Sequence, residues 1–378
     1  MNKLKISMNV EYQNGPWGGG NLFIANLKDF LESKGNEVIF DLFDPEIDII
    51  LIIDPRMLSE NVTYSIKDIE FYIKNINKSC KVVHRINECD ERKNTSGINE
   101  YYINANKVAN FTVFVSHWLM NIYIREGFSS PNSNVIMSGS NKKVFNRNRR
   151  KIWKESEPLR IVTHHWGNNF NKGFDIYSYL DESIYEKYKN EIIFTYIGNL
   201  NTDINFKSTK VLEPAYGKNL AALIKENHIY LTASINEPSG NHHIEGAQCG
   251  LPILYRNSGG IPEFTKGYGV EFDGIGDFFS SLEKIKNNYS ELFKKLEDYP
   301  FNSQDMSKEY LELFQRITSS PSTSQEPEIK VSLKDTLGKL LYFLNKFLNN
   351  INLYRLKMRV KKFLLIKIPI LKEERNVV

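Results

Sequence analysis

Cysteine is scarce in this chain of 378 residues. Cys80, Cys89 and Cys249 form no CxxC pair. An odd, sparse set of this kind suits a reducing compartment better than a disulfide framework. Long apolar runs are also missing: nothing approaches the roughly 18 unbroken apolar residues that would suggest a membrane-spanning helix. The opening MNKLKISMNV has a basic flank, but its apolar run is too short for a signal peptide and no small-residue cleavage site follows. It reads as a first strand, and the expected location is the cytoplasm.

A uniform charge is lacking as well. The net charge of +4 combines a body of 328 residues at −5 with a segment from Ile329 to Val378 at +9. A mildly acidic body argues against nucleic acid as a partner, and the basic tail has its own surface to meet. In that tail Leu333, Leu337, Leu340, Leu341, Leu344, Leu348 and Ile351 form a helical stripe with lysines off it. Such a helix can lie on an anionic membrane, which would make the protein peripheral at the inner face, or pack on protein.

What the chain has in abundance is alternation. LKISMNV (4–10), EVIFDLF (37–43), IDIILII (47–53), CKVVHRI (80–86), FTVFVS (111–116) and SNVIMSG (133–139) are strand-like, with helical patterns between them. A helix is expected over Asn21–Lys34, with Gly35 at its C-terminus. The polar segment 146–158 interrupts, and LRIVTHH (159–165), EIIFTYIG (191–198), HIYLTAS (228–234) and LPILYR (251–256) resume the series. This is an α/β chain of two Rossmann-like units, 1–150 and 151–318, the second closed by a helix near Ser307–Ile317. A linker at 319–328 and the tail at 329–378 follow. Two such units facing each other place a ligand cleft at the carboxyl ends of their strands.

One stretch after such a strand is NEPSGNHHIEGAQCG (236–250). Adjacent His242 and His243 lack the i, i+4 spacing of a zinc-binding helix. The turn at Pro238–Gly240 leads into a helix starting near Asn241, whose first N–H groups suit an anion such as phosphate. Glu245, one turn in, and Glu237, at the mouth, can each accept hydrogen bonds from a diol.

EPSGNHHIE followed by GAQCGLPILYRNSGGIPEF resembles the signature of glycosyltransferase family 4. The resemblance implies a GT-B fold and retaining, metal-independent transfer of a sugar from a nucleotide-sugar, an activity of hexosyltransferase type. It implies that Glu237 contacts the donor sugar, that Glu245 holds the ribose, that Gly240 and Asn241 lie along the diphosphate, and that Gly259 and Gly260 let the backbone approach the donor. It also points to Gly18 and Gly19 in NGPWGGGN (14–21), to His84 near the sugar with Arg85 and Asp90 beside it, and to Lys172 as a phosphate-neutralising cation. The family's arginine before that lysine is missing, so His164, His165 or Arg256 is the expected substitute. A strict DxD metal motif is absent too, ExD at Glu88 and Asp90 being the nearest approach. No cofactor is expected. The acceptor would be a glycan or lipid-linked sugar in surface polysaccharide or glycolipid assembly. A nucleotide-sugar epimerase of the same fold, and an inactive binding or scaffold protein, are the alternatives.

Overall fold

Short β-branched runs need cover on both faces, and helical crossovers supply it. The computed structural model describes residues 3–13, 15, 18–150 and 152–319. In the first unit, β1 (Lys5–Met8), β2 (Glu37–Ile39), β3 (Ile49–Ile52), β4 (Lys81–Ile86), β5 (Phe111–Phe114) and β6 (Ser133–Val135) form a parallel sheet. Its order is β2-β1-β3-β4-β5-β6. Strand β3, Ile-Ile-Leu-Ile, is buried throughout, as a strand covered on both faces should be. Helices α1 (Gly19–Ser33), α2 (Ile66–Asn75), α3 (Ile98–Ala105) and α4 (His117–Arg125) connect the strands.

The second sheet is also all parallel. Strands β7 (Leu159–His165), β8 (Ile192–Gly198), β9 (Lys210–Leu212), β10 (Ile229–Thr232), β11 (Ile253–Arg256) and β12 (Gly269–Phe272) lie in the order β12-β11-β10-β7-β8-β9. Helices α5 (Phe174–Ser183), α6 (Gly217–Lys225), α7 (Asn241–Gln248), α8 (Ile261–Thr265), α9 (Ile275–Asn287) and α10 (Tyr289–Lys295) flank it. Apolar cores fill both faces of each sheet. The two-unit α/β fold expected from the alternation is present.

Helix α11 (Ser303–Ser319) closes the described chain. It follows the second unit in sequence, yet it packs on the first. Met306, Tyr310, Leu311, Leu313 and Phe314 join Phe23, Ile24, Leu27 and Leu31 of α1 in one core. The chain therefore passes between the units twice, after β6 and again before α11. These passages touch: Ser303 N donates to Ser140 O at 2.8 Å, and Ser140 and Asn302 form a parallel bridge. The basic segment 146–158 holds to the second unit, where the Arg150 guanidinium donates to His228 O at 2.7 Å and to the Tyr289 hydroxyl at 3.0 Å.

Apart from Ser319, the linker and the basic tail lie outside the described residues. Among the described residues, no helix is long and apolar enough to cross a membrane.

Candidate active site

Three segments that follow strand carboxyl ends converge between the sheets. The turn after β7 carries Lys172, the turn after β10 carries Glu237, and the 3-10 turn Asp90–Arg92 after β4 carries Arg92. Lys172 Nζ donates to Glu237 Oε2 at 2.5 Å, and Arg92 Nε stands 3.2 Å from Glu237 Oε1. Each oxygen of one buried carboxylate thus faces a cation from a different unit. Arg92 also reaches Glu88 at 3.3 Å, and Lys93 lies 3.2 Å from the same carboxylate.

Burial alone would raise the Glu237 carboxyl above its usual value. Arg92 and Lys172 overcome that and hold it at about 2. The Lys172 pKa is lowered too, but for the opposite reason: burial disfavours its ammonium more than Glu237 supports it. Gly173 follows the lysine and opens α5. At φ 103°, with Ala233 against its Cα, that position admits no side chain.

Gly240 is the N-cap of helix α7, and no side chain caps the helix. Gly240 has φ 72°, and a Cβ there would fall 2.8 Å from His243 Cε1 and 2.9 Å from His242 Cε1. The histidines that catch the eye in the sequence are thus the packing that shapes this turn. His242 Nε2 bonds Thr232 Oγ1 at 2.8 Å; neither ring nitrogen of fully buried His243 has a hydrogen-bond partner. Burial pushes both imidazoles down, His243 to about 3.

Glu245 sits one turn into α7 and bonds His164 Nε2 at 2.9 Å; His164 Nδ1 lies 2.9 Å from the Tyr230 hydroxyl. A neutral imidazole satisfies both contacts by donating from Nε2 and accepting at Nδ1. Facing α7 is the start of α1. A Cβ on Gly19 would meet Asn241 Cγ at 3.0 Å, and one on Gly18 would meet Trp166 at 3.7 Å. Gly259 and Gly260 pack against the backbone of Glu237 and Pro238, and Gly260 N donates to Glu237 O at 2.9 Å.

Glu237, Lys172, Gly18, Gly19, Gly240, Asn241, Glu245, Gly259 and Gly260 therefore line one neighbourhood. Three other expected residues do not share it. His84 and Arg85 alternate along β4 and enter opposite faces of the first unit. His84 bonds Asn106 at 2.9 Å and stacks on Tyr102, and burial lowers it to about 4. Arg85 lies over the Phe23 ring at 4.0 Å, inside the α1–α11 core. Asp90 accepts from Ile98 N and Asn99 N and so caps α3. His165, by contrast, belongs with the site: it bonds the Tyr177 hydroxyl at 2.8 Å and its ring packs 4.7 Å from that of His242.

Arg256, the other proposed substitute cation, pairs with Asp175 at 2.8 Å. The cation that stands beside Lys172 is Arg92. Sequence reading passed over it because a charged run such as CDERK ordinarily marks a solvated face. The signal available was its position, directly after a buried strand.

No protein-family model matches the chain, and no curated protein matches it. Solved structures do. A glycosyltransferase from Rickettsia africae aligns over 85% of this chain and all of its own, at 14% identity and TM-score 0.60. HepE from Anabaena, in complex with UDP-glucose, aligns over 83% of this chain and all of its own, at 12% identity and TM-score 0.60. The catalytic domain of starch synthase IV from Arabidopsis thaliana, bound to ADP and acarbose, aligns over 85% and 100%, at 13% and 0.57. The fold is the GT-B architecture of these glycosyltransferases.

Proposed function

We propose that the protein is a retaining glycosyltransferase of hexosyltransferase type, taking sugar from a nucleotide-sugar and needing no resident metal. One observation carries the reading: the buried Glu237 carboxyl, paired with Lys172 and Arg92, stands beside the uncapped start of α7, between two GT-B units. The sugar hydroxyls would be received by Glu237, the diphosphate by Lys172 and the first amides of α7, and the ribose by Glu245. At a pKa of about 2, Glu237 is an acceptor and cannot serve as a general acid at neutral pH. Chemistry then falls to the substrates. The acceptor hydroxyl attacks the anomeric carbon on the face the phosphate leaves, the carbon–phosphate-oxygen bond breaks, and the departing phosphate takes the proton. Complexes of the structural neighbours with UDP-glucose and with ADP support a nucleotide-sugar donor.

The test is a panel of UDP-, GDP- and ADP-sugars screened for binding and slow hydrolysis, with and without EDTA, and with Glu237→Ala as control. The expected outcome is turnover with one donor, insensitive to EDTA, falling ~100-fold or more in the variant while nucleotide affinity is largely kept. Equal turnover in Glu237→Ala would refute the role of that residue. A glycan or lipid-linked acceptor at a membrane face belongs to the same reading, with the tail at 329–378 as the attachment. Deleting those residues should abolish sedimentation with anionic vesicles.

A further inference from the structure

We propose that Arg92 is a positioning residue of the donor site: carried by the first unit, it holds the Glu237 carboxylate of the second, so that the site is complete only when the two units face each other. This rests on the glycosyl-transfer reading above. The geometry is specific. Arg92 is anchored on its own side by Glu88, whose two oxygens lie 3.3 Å from Nη1, while its Nε, which makes no hydrogen bond, stands 3.2 Å from Glu237 Oε1 as an ion pair. The backbone is seated as well as the side chain. Asn171 Nδ2 donates to Arg92 O and Asn236 Nδ2 donates to Glu91 O, both at 3.2 Å.

These two asparagines immediately precede Lys172 and Glu237. The turn at Glu91–Arg92 is therefore gripped by the very loops that present the two charged groups. Asn236 adopts φ 52°, a left-handed conformation that asparagine tolerates better than most residues. Around this point Arg92, Lys93 and Lys172 face Glu88 and Glu237, a surplus of one positive charge for an incoming diphosphate. Arginine also suits the task because its planar fork faces two carboxylates in a fixed geometry, where a lysine ammonium is a point charge on a flexible stem.

The experiment combines kinetics with a ligand-free measurement. Thermal unfolding midpoints of Arg92→Gln, Glu237→Gln and the double variant, without ligand, should be non-additive, the double losing less than the two singles together. With the donor found active in the panel, Arg92→Gln should lower kcat ~10–100-fold with nucleotide Kd changed less than about threefold, and Arg92→Lys should recover part of kcat. Additive midpoints would overturn the contact, and an unchanged kcat in Arg92→Gln would overturn the positioning role. If the unsubstituted protein turns over no nucleotide-sugar, the glycosyl-transfer reading fails, and the unfolding midpoints still decide the contact.

Discussion

Glu237 keeps its charge where burial opposes it, and the two cations beside it explain how. Its depressed pKa contributes stability that is complete above its unfolded value near 4.5 and is lost as pH falls toward about 2. Lys172→Met removes one cation, so the carboxyl should titrate higher. Carbon-13 NMR of the Glu237 side chain would read the shift, and an unmoved pKa would mean Arg92 alone supports it. Gly240→Ala should destabilise the fold by about 1–2 kcal/mol, from the left-handed backbone alone, with crowding against His242 and His243 added to it. Urea unfolding measures that loss. Glu237, Glu245 and Gly240 were legible in the sequence because one strand, one turn and one helix carry all three. Arg92 was not, since its partner is remote in the chain and its local company of charges looks like ordinary surface. His84 and Arg85 misled by residue type: they sit on consecutive positions of a buried strand, and alternation turns both into the interior.

Among the elements, α4 is capped by its own Ser116, which accepts from Leu119 N, and also by a residue of the other unit. Glu263 in α8 accepts from His117 N at 2.8 Å and Trp118 N at 2.7 Å, the orphan donors of the first turn of α4. His117 Nδ1 approaches the same carboxylate at 2.9 Å. Glu263→Ala should cost about 1 kcal/mol by denaturant unfolding, in line with the loss of a cap. A larger radius of gyration in small-angle scattering is also expected, because the lost bonds span the units. Most strands could be read from their apolar runs, but β9 and β12 could not. They are short edge strands with exposed positions, so their sequences lack the apolar density of strands covered on both faces. Helix α11 was legible as a helix and misplaced in space. An amphipathic pattern states that a face will be buried without stating against what.

For the molecule as a whole, buried histidine sets the acid limit. His84, His165, His242 and His243 are all pushed down by burial, so the folded chain leaves them neutral where the unfolded chain takes protons. Stability should therefore fall as pH drops below about 6.5, by up to ~1.4 kcal/mol per pH unit for each histidine. Urea midpoints at pH 7 and pH 5.5 would show it; equal values would contradict it. This loss begins well above the window in which Glu237 protonates. The paired passages at Ser140 and Asn302 have a mechanical consequence. Two strands of chain fastened together at one point act as an axle, whereas a single strand would act as a tether. Joined passages constrain the placement of one unit against the other more than a single connection would, and so help to keep Arg92 opposite Glu237. A side chain at Gly139, whose Cβ would fall 2.3 Å from the Asn302 backbone, would bind that axle.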